Sequence, residues 1–536
     1  MLYHFDFLPL TTPMPVPFYV TTPIYYVNAV PHIGHVYSTL LADCLARYHR
    51  MKGDDVFFLT GTDEHGQKVA KAATERNKTP TEYTDEISAT FRSCFAKFNF
   101  INHRFIRTTD ADHTQMATDM WKLLRANGDI YKGVWEGWYC VSDETFLAAA
   151  QIRESTNAAG EVVKVSAESN HPVVPIQEEN YIFRLSAYQD QLLDWLNSGP
   201  VIVPEFRRQE MIKLCASGLK DVSVSRLRGS CEWAIPCPDD PDHVMYVWLD
   251  ALSNYLTAVR TAESLATGSI SPADFPRWPG VQVLGKDILK FHALYWPAFL
   301  FAAGLPPPRK LVVHGWWTKD GAKISKSLHN AFDPVEKITE FGLDPLRFFL
   351  LRETAISNDG DYSDAAMAAR LNGELADTLG NLVLRCVSRK IIKDGRVPQP
   401  GEYDETDVRI QLDLEGLVKK VDECMEGCVV QEALMEIFEV LRAVNAYITK
   451  NEPWKVMKTD RVRASTVLYV AQEALRIIAL LLSCAMPQVC DDILDQLGVD
   501  AASRTGRAML TFGLLVPGAD LGDVRPPSFK KVVLSQ

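Results

Sequence analysis

Hydrophobic positions in the first part of the chain alternate between the spacing of strands and the spacing of helices. Residues 18–21 predict a short strand, and the apolar run 55–60 predicts a second. Between them, residues 36–48 place apolar side chains at helical intervals. A further helix is predicted from Gln67, and another opens at Thr79, with Pro80 at its first position and Glu82 completing a capping box. Strands that alternate with helices predict a parallel sheet.

The same alternation returns later in the chain. A strand is predicted at 281–284, a helix at 288–303 that stops at Gly304, and a strand at 311–313. The stretch between, about 131–230, begins with aromatic residues and continues as a polar segment with a helical pattern at 186–196. We therefore expect an insertion that splits one nucleotide-binding sheet into two halves.

Strand patterns vanish after about residue 369. Four long helical patterns follow and predict a helical bundle; they lie at 371–390, 412–424, 431–449 and 463–482.

Composition adds few constraints. The chain has 536 residues, of which 47% are hydrophobic and 23% charged, and no apolar run reaches about 18 residues, so no membrane span is predicted. A net charge of −12 argues mildly against a nucleic-acid partner, although local fields decide phosphate contacts. Eleven cysteines without a CxxC pair favour a reducing, cytoplasmic location.

Two short motifs contain the residue types that handle phosphate. His32-Ile-Gly34-His35 lies between a predicted strand and helix, where Gly34 opens the backbone and the helix start attracts anions. Lys323-Ile-Ser-Lys326-Ser327 places two flexible cations on a polar loop. Taken alone, the first is equally well a loop with two surface histidines, and the second is more simply a solvated Lys/Ser loop. Because both follow predicted strands, where open α/β sheets bind ligands, together they predict chemistry at the α-phosphate of ATP.

Three further segments suggest an amino-acid site. Asp63, in Gly61-Thr-Asp63-Glu-His-Gly66, follows a predicted strand and can pair with an ammonium group, although a plain polar turn would have the same sequence. Segments 247–255 and 288–296 are rich in aromatic residues, and His292 and Trp296 share a helix face. They are either core or the walls of an apolar pocket, and sulfur packs well against aromatic edges.

The combination resembles the methionyl-tRNA synthetase family of class I aminoacyl-tRNA synthetases, from about residue 18 to beyond 500. The resemblance rests on both phosphate motifs and on 23–28, 61–66, 285–292 and 314–316. It implies ATP- and Mg²⁺-dependent activation of L-methionine and transfer of methionyl to tRNA(Met). The implied fold is a Rossmann-like parallel sheet, split by an inserted connective domain and followed by an all-α anticodon-binding bundle.

The resemblance also implies domain limits. They are an N-terminal extension at 1–17, the first catalytic half at 18–130, the connective domain at 131–230, the second catalytic half at 231–320, a mobile-loop and stem-contact region at 321–370, and the anticodon-binding domain at 371–536.

Residue roles follow from the resemblance, position by position. The residues implied to stabilise the pentavalent phosphate are His32, His35, Lys323 and Lys326. Asp63 is implied to hold the methionine ammonium group. The walls of the side-chain pocket are implied to be Tyr26, Trp248, Tyr255, Ile288, His292 and Trp296, with Pro23 and Ile24 beside them. For ATP, the resemblance implies Gly34 at the phosphates, Asp287 at the ribose, and the backbone near Trp316 and Trp317 at the adenine.

Three residues of the bundle match anticodon-reading positions of that family: Asn381, Arg385 and Trp454. A tryptophan that stacks on an unpaired base, beside an Asn or Arg that reads its edge, is the usual arrangement for single-stranded RNA. Without the resemblance, Trp454 after Pro453 would be a core residue at a helix start.

The chain departs from the family pattern at three places. Ile324 stands where methionine is common, and His329 stands where many relatives have glycine. Many relatives carry a zinc knuckle, whereas here Cys140 and Asp143, even with His171, fall short of the four ligands that zinc needs. We therefore predict no structural zinc.

Two other functions remain open at this stage. A small-molecule adenylyltransferase shares the first motif but has no use for a long helical C-terminal part. A catalytically inactive tRNA-binding protein could have lost Asp63 or Lys326, and both are present. We expect no membrane or DNA partner; the sequence does not fix the oligomeric state, for which a monomer is the starting hypothesis.

Overall fold

A six-stranded parallel sheet lies at the centre of the molecule. The computed structural model describes residues 15–140, 145–147, 151–157, 160–167, 169–319, 321–323, 333–525, 529 and 531–533. Within them, the sheet strands are β1 (Pro17–Tyr26), β2 (Asp55–Asp63), β3 (Arg104–Arg107), β4 (Ile202–Val203), β5 (Val281–Gly285) and β6 (Lys310–His314). Their order is β3-β2-β1-β5-β6-β4, and every neighbouring pair is parallel. The predicted nucleotide-binding type of sheet is confirmed.

Helices connect the first strands as the sequence pattern predicts. The helix Ile33–Lys52 follows β1 and ends at Gly53, whose φ of 92° suits glycine. Three more helices follow in the first half: Gln67–Thr74, Pro80–Lys97 and Ala111–Ala126. Thr79 and Glu82 form the predicted capping box. The helix Ile33–Lys52 is buried on nearly all sides, because the sheet covers one face and the C-terminal bundle covers the other.

The stretch after residue 130 forms a separate antiparallel sheet. Its strands are Ile130–Cys140, Thr145–Leu147, Val174–Phe183 and Val222–Ser223. A hairpin (Ile152–Thr156 with Val162–Ser166) and two helices (Gln189–Asn197 and Glu205–Ala216) accompany it. The chain returns to the central sheet at β4, where Ile202 pairs with Leu311. This stretch therefore also supplies an edge strand to the sheet that it interrupts.

The second catalytic half begins with a small antiparallel sheet: Ser225–Leu227, Pro236–Cys237 and Asp240–Met245. Short helices follow at Val247–Leu252, Asn254–Thr257 and Ala262–Thr267. After β5, the chain makes a 3₁₀ turn, a π-helical turn at Phe291–Tyr295 and the helix Trp296–Ala302. The sequence predicts one continuous helix here; the structure interrupts it with the wider turn.

Beyond β6, strands Trp317–Lys319, Ala322–Lys323 and Gly360–Tyr362 form a small sheet. The predicted helical bundle then follows and is confirmed. Three helices precede it, Pro334–Phe341, Leu343–Arg352 and Asp364–Arg370. The helices and turns of the bundle itself are Leu371–Gly380, Asn381–Val387, Glu405–Glu426, Val430–Asn451, Pro453–Val456, Arg461–Leu482 and Pro487–Gln496. By length and composition, Arg461–Leu482 could cross a membrane, which the sequence count did not anticipate. However, 94% of its most apolar window is buried inside the bundle, as in the core helix of a packed domain.

A buried arginine joins the catalytic half to the bundle. Arg347 donates to the carboxylate of Asp43 at 2.7 Å, on the helix Ile33–Lys52, and both side chains are fully buried. Its other donors reach the carbonyl oxygens of Phe98, Cys484 and Ala485 at 2.9–3.1 Å. At the end of the same helix, Lys52 pairs with Asp422 of the bundle at 2.8 Å. The two parts therefore share one core.

Candidate active site

The first phosphate motif closes the N-terminus of the helix Ile33–Lys52. His32 is the N-cap residue, and its Nδ1 accepts from the backbone N–H of Gly34 at 3.1 Å. In return, the backbone N–H of His32 donates to Nδ1 of His35 at 3.1 Å. The two imidazole rings stack with their centroids 3.8 Å apart. The motif is thus a capping box built from two histidines at a helix end that attracts anions.

The hydrogen bonds of this box fix which nitrogen carries the proton. Since Nδ1 accepts in both rings, each neutral imidazole has its proton on Nε2, where it can donate outward. Burial, helped by the neighbouring His32, holds the pKa of His35 well below its usual range. His35 is therefore a neutral donor at pH 7, suited to an oxygen on which negative charge develops.

Asp63 ends β2 beside the end of β1. The side chain is 2% exposed, and its backbone oxygen accepts from the N–H of Val27 at 3.3 Å. The pairing of β1 with β2 shifts between Thr21 and Ile24, at Pro23, which has no N–H to donate. This irregularity turns Ile24 and Tyr26 toward the core that contains the aromatic segments.

The turn after Asp63 is held from three sides. Glu64 is fully buried and accepts two bonds from Arg107, at 2.7 and 2.8 Å. The indole of Trp233 donates to the carbonyl of Glu64 at 2.5 Å, and the carbonyl of Trp233 accepts from Gly66 at 2.9 Å. His65 bonds through Nδ1 to Asp250 at 2.6 Å. The position of Asp63 is therefore set by residues far away in sequence.

Asp250 is a buried carboxylate between two histidines. Its second oxygen lies 2.7 Å from Nε2 of His113, which is also fully buried. Burial alone would raise the pKa of the Asp250 carboxyl, but the two histidines hold that pKa at about 2. Asp250 is therefore ionised and accepts a hydrogen bond from each ring.

The predicted walls of the side-chain pocket pack into one cluster. Trp248, Tyr255 and Trp296 are buried in it, and Ile24, Tyr26 and Ile288 are partly buried against it. Tyr255 lies between His292, with a ring-centroid distance of 5.7 Å, and Trp296, at 5.9 Å. The π-helical turn at Phe291–Tyr295 carries His292 and places Phe291 flat on Trp248 at 3.5 Å. Pro23 is buried inside β1, at the shift in its pairing with β2.

The polar atoms of the pocket are neutral. Nδ1 of His292 faces the carbonyl of Ile288 at 3.0 Å, and Nε2 faces the hydroxyl of Tyr255 at 2.7 Å. Because a carbonyl only accepts, His292 carries its proton on Nδ1, and Tyr255 donates to Nε2. Burial lowers the pKa of His292 to about 4 and raises the pKa of Tyr255. The pocket can therefore take an uncharged, polarisable side chain and disfavours a charged one.

The residues expected at the ATP base and ribose gather at the ends of β5 and β6. Asp287 is exposed and accepts from the indole of Trp316 at 3.3 Å. The backbone N–H of Trp316 donates to Asp359 at 2.8 Å, and its carbonyl accepts from Gly360 at 2.8 Å. Trp317 is buried against Tyr37. These contacts place the exposed carboxylate of Asp287 beside the half-buried indole of Trp316, but they already engage the backbone of Trp316.

Only the edge of the second phosphate motif is described. The backbone of Lys323 pairs with Thr318 in the small sheet after β6. Asp361 holds the turn before it, accepting from Thr318 at 2.7 Å and from Gly321 at 3.0 Å. The side chain of Lys323, together with Ile324, Lys326 and His329, lies outside the described residues, so their expected roles stay predictions.

The three expected anticodon residues come together on the bundle. Arg385 donates to Thr449 at 3.1 Å, and its guanidinium lies 5.9 Å from the ring centroid of Trp454. Trp454 is half-buried, in a short helix that follows the left-handed residue Glu452, with a φ of 39°. An open groove beside them is lined by Asp377, Thr378, Asn381, Arg385, Arg442, Asn445, Ala446, Thr449 and Lys450.

The expected zinc knuckle position has a different character. Cys140 is buried in a small cluster with Leu147 and Val173. Asp143 lies outside the described residues, and His171 lies beside an open groove next to Lys68. Among the described side chains, no three His, Cys, Asp or Glu residues gather as metal ligands. The absence of zinc stays a prediction.

Sequence reasoning missed the residues that fix the Asp63 turn. Glu64 and His65 stand in the same motif as Asp63, and Asp250 stands two residues after Trp248. The available signal was the position of these residues: Glu64 and His65 directly follow an apolar strand, and Asp250 interrupts an aromatic segment. Their partners Arg107, His113 and Trp233 had no sequence signal, because the contacts join separate elements.

Two family models match the chain. One, described as tRNA synthetases class I (M), matches residues 18–387. The other, described as the anticodon binding domain of methionyl tRNA ligase, matches residues 397–534. Together they span both the strand-end site and the groove on the bundle.

Individual relatives agree over nearly the whole chain. A methionine–tRNA ligase of Brucella suis is 41% identical over 513 residues, covering 95% of this chain and 97% of the relative. One of Rickettsia felis is 39% identical over 537 residues, covering 95% and 99%. Among solved structures, a Mycobacterium tuberculosis methionyl-tRNA synthetase in complex with methionyl-adenylate matches with a TM-score of 0.89 at 40% identity, covering 96% of this chain and 99% of the other.

Proposed function

The chain belongs to the methionyl-tRNA synthetase family of class I, and from this membership we infer how its own residues divide the reaction. It is an aminoacyl-tRNA ligase that activates L-methionine with ATP and transfers methionyl to tRNA(Met). Neither the small-molecule adenylyltransferase nor the inactive tRNA-binding protein finds support. The assignment of roles to single residues that follows is our proposal.

One observation carries this proposal. A buried carboxylate, Asp63, ends β2 beside a cluster of aromatic side chains, and the histidine capping box follows the neighbouring strand β1. Amino acids need a counter-charge for the ammonium group and a matched cavity for the side chain. Activation also needs donors at the α-phosphate. These requirements meet at one edge of the sheet, where such sheets bind ligands.

We propose that methionine is recognised by charge at one end and by shape and polarisability at the other. Asp63 takes the ammonium group. Tyr255 and His292 present a neutral hydrogen-bonded pair to the thioether, and Trp248 and Trp296 supply aromatic edges, against which sulfur packs favourably. The remaining lining residues are Pro23, Ile24, Tyr26 and Ile288.

The phosphate step is proposed to rely on electrostatics rather than on a covalent intermediate. The methionine carboxylate attacks the α-phosphate and pyrophosphate leaves, so negative charge builds on the equatorial oxygens. Nε2–H of His32 and His35 can donate to those oxygens from the helix start, and Gly34 keeps that approach open. Lys323 and Lys326 are proposed to follow the leaving pyrophosphate as mobile charges.

For the rest of ATP, Asp287 is proposed at the ribose hydroxyls, with Trp316 and Trp317 bounding the adenine. The exposed carboxylate of Asp287 beside the indole of Trp316 supports a polar edge next to a flat face. Mg²⁺ is proposed to arrive on the phosphates of ATP, its usual mode of binding, where it neutralises their charge.

The groove on the bundle is proposed to read the anticodon. Trp454 offers a face for stacking, and Asn381 and Arg385 offer donors for base edges. We also propose the domain limits given above, a cytoplasmic location and a monomeric enzyme. The eleven cysteines of the sequence, which contain no CxxC pair, support the location.

ATP–pyrophosphate exchange, measured with each amino acid in turn, tests the function. Methionine should support exchange, whereas leucine, isoleucine and valine should not, because their branched carbons do not fill a pocket shaped for an unbranched thioether. Charging of tRNA(Met) should follow on the same preparation. The proposal would be contradicted if no amino acid supported exchange, or if leucine, isoleucine or valine supported it instead of methionine.

A further inference from the structure

A buried chain of hydrogen bonds runs behind the methionine site. Asp250 accepts from Nδ1 of His65 at 2.6 Å and from Nε2 of His113 at 2.7 Å. His113 continues through Nδ1 to the hydroxyl of Thr257 at 3.2 Å, which reaches the carbonyl of Ser253 at 3.0 Å. We call these four side chains, His65, Asp250, His113 and Thr257, the Asp250 network.

The network joins two of the protein segments that are proposed to hold methionine, the turn after Asp63 and the short helices that carry Trp248 and Tyr255. His65 stands two residues after Asp63, which takes the ammonium group. Asp250 stands two residues after Trp248, and Thr257 stands two residues after Tyr255, in the short helices that wall the side-chain pocket. His113, on the helix Ala111–Ala126, joins these segments from behind.

We propose that Asp250 is a positioning residue, which sets the separation between the carboxylate of Asp63 and the aromatic wall of Trp248 and Tyr255. This inference rests on the proposed function, because it assumes that methionine spans those two points. A substrate held at both ends is sensitive to their spacing, since misplacement by about 1 Å can cost about 100-fold in activity.

Other contacts keep the turn folded when the network is broken. Glu64 stays paired with Arg107, and Trp233 stays bonded to the backbone of Glu64 and Gly66. These contacts hold the far side of the turn, whereas His65 faces Asp250. Loss of Asp250 should therefore shift the turn relative to the aromatic wall without unfolding the site.

The test compares Asp250→Ala with Asp250→Asn by ATP–pyrophosphate exchange. Asp250→Ala removes both acceptors, so the KM for methionine should rise about 10- to 100-fold while the KM for ATP changes little. Asp250→Asn keeps the shape and offers one acceptor and one donor. A neutral histidine can carry its proton on either ring nitrogen, so the nitrogen that faces the asparagine can donate or accept as needed. Both bonds can therefore re-form. The asparagine variant should therefore recover most of the methionine affinity.

Asp119→Ala is the matched control. Asp119 is a buried carboxylate on the same helix as His113, and it pairs with Arg260 at 2.9 Å. Its removal breaks an equally buried ion pair that contacts none of the methionine segments. This variant should lower the melting temperature and leave the ratio of the two KM values unchanged.

Each outcome decides a separate question. If the wild-type protein shows no methionine-dependent exchange, the proposed function is wrong. If it does, but Asp250→Ala raises both KM values equally or behaves like Asp119→Ala, Asp250 has a structural role only and this inference is overturned. Should Asp250→Ala fail to fold, His113→Gln and Thr257→Val remove the outer bonds one at a time. Both must then raise the KM for methionine selectively, His113→Gln more than Thr257→Val.

Discussion

The strand-end site and the groove on the bundle are built in opposite ways. Asp63 and His292 are each 2% exposed. The turn after Asp63 is held by the bond between His65 and Asp250, which joins elements more than a hundred residues apart. His292 is held by its bond to Tyr255 inside the packed aromatic cluster. In the groove, Asn381 is exposed, and its contact to Asp377 stays within four residues on one helical stretch. The site proposed for a small substrate is enclosed, whereas the site proposed for an RNA loop lies at the surface.

The difference extends to charge. The enclosed pocket holds a neutral hydrogen-bonded pair, and its one proposed counter-charge is Asp63. The groove is lined by Arg385, Arg442 and Lys450 with one carboxylate, Asp377. A chain with a net charge of −12 thus presents a locally cationic surface where the polyanion is expected. Net charge is a poor guide to a binding site when each site has its own local environment.

The largest expected effect separates the two sites completely. Asp63→Ala should nearly abolish methionine activation, because the ammonium group loses its partner in a desolvated site, at a cost of about 2–5 kcal/mol. Binding of tRNA(Met), measured by filter retention on the same preparation, should stay at the wild-type level. An unchanged KM for methionine would show that the ammonium group is held elsewhere.

The enclosed pocket should also leave a signature in the pH dependence of stability. His292 has a pKa of about 4 in the folded protein, against about 6.5 for an unfolded histidine. The unfolded chain therefore binds more protons between these values, and stability is lost as the pH falls from 6.5 to 4, by about 3 kcal/mol for this group.

His292→Gln should remove that part of the pH dependence. His35 and His314 also have pKa values lowered by burial and remain in both proteins, so the difference between the two melting curves isolates His292. Melting temperatures of variant and wild type should converge as the pH falls toward 4. Parallel curves over this range would mean that His292 is already charged in the folded state.

A smaller effect is expected at the groove, and on one half-reaction only. Trp454→Ala should weaken tRNA charging by about 1–3 kcal/mol, the usual range for a base stacked on an aromatic ring, and leave pyrophosphate exchange unchanged. Met457→Ala, which removes a half-buried neighbour from the same core, is the matched control and should charge normally. A joint fall in charging, exchange and melting temperature would make Trp454 a core residue.

The smallest expected effect is none. Chelator treatment should leave exchange and charging intact, and metal analysis should find no stoichiometric zinc, because the knuckle position has a single buried cysteine, Cys140, without the second thiol of a CxxC pair. About one zinc per chain would show that another set of ligands had been overlooked.

Much of the fold follows from local patterns. The strands β1, β2, β5 and β6 and the bundle helices lie where apolar spacing predicts them, because each buries a periodic face. The strand β4 was not predicted, since two residues carry no period. The π-helical turn at Phe291–Tyr295 was not predicted either, because it adds one residue to a helical turn within an apolar run.

The same distinction, between local pattern and long-range contact, applies to the residues of the site. Asp63 and the histidines could be found because they follow strands and sit in recognisable motifs. The Asp250 network could not, because its bonds span 185 and 137 residues of sequence. Sequence indicates which residues meet the substrate, whereas tertiary packing determines what holds those residues still.

The buried contact between Arg347 and Asp43 bears on how the chain could be divided. The sequence changes character near residue 369, which suggests a convenient point at which to separate a catalytic fragment from the bundle. Such a fragment would keep the guanidinium of Arg347 but lose the carbonyl oxygens of Cys484 and Ala485 that accept from it. A cation would then face a newly exposed apolar surface, where Lys52 has also lost Asp422. The boundary that is plain in the sequence is therefore not one at which this protein comes apart, because the helix Ile33–Lys52 needs the C-terminal bundle to complete its own surroundings.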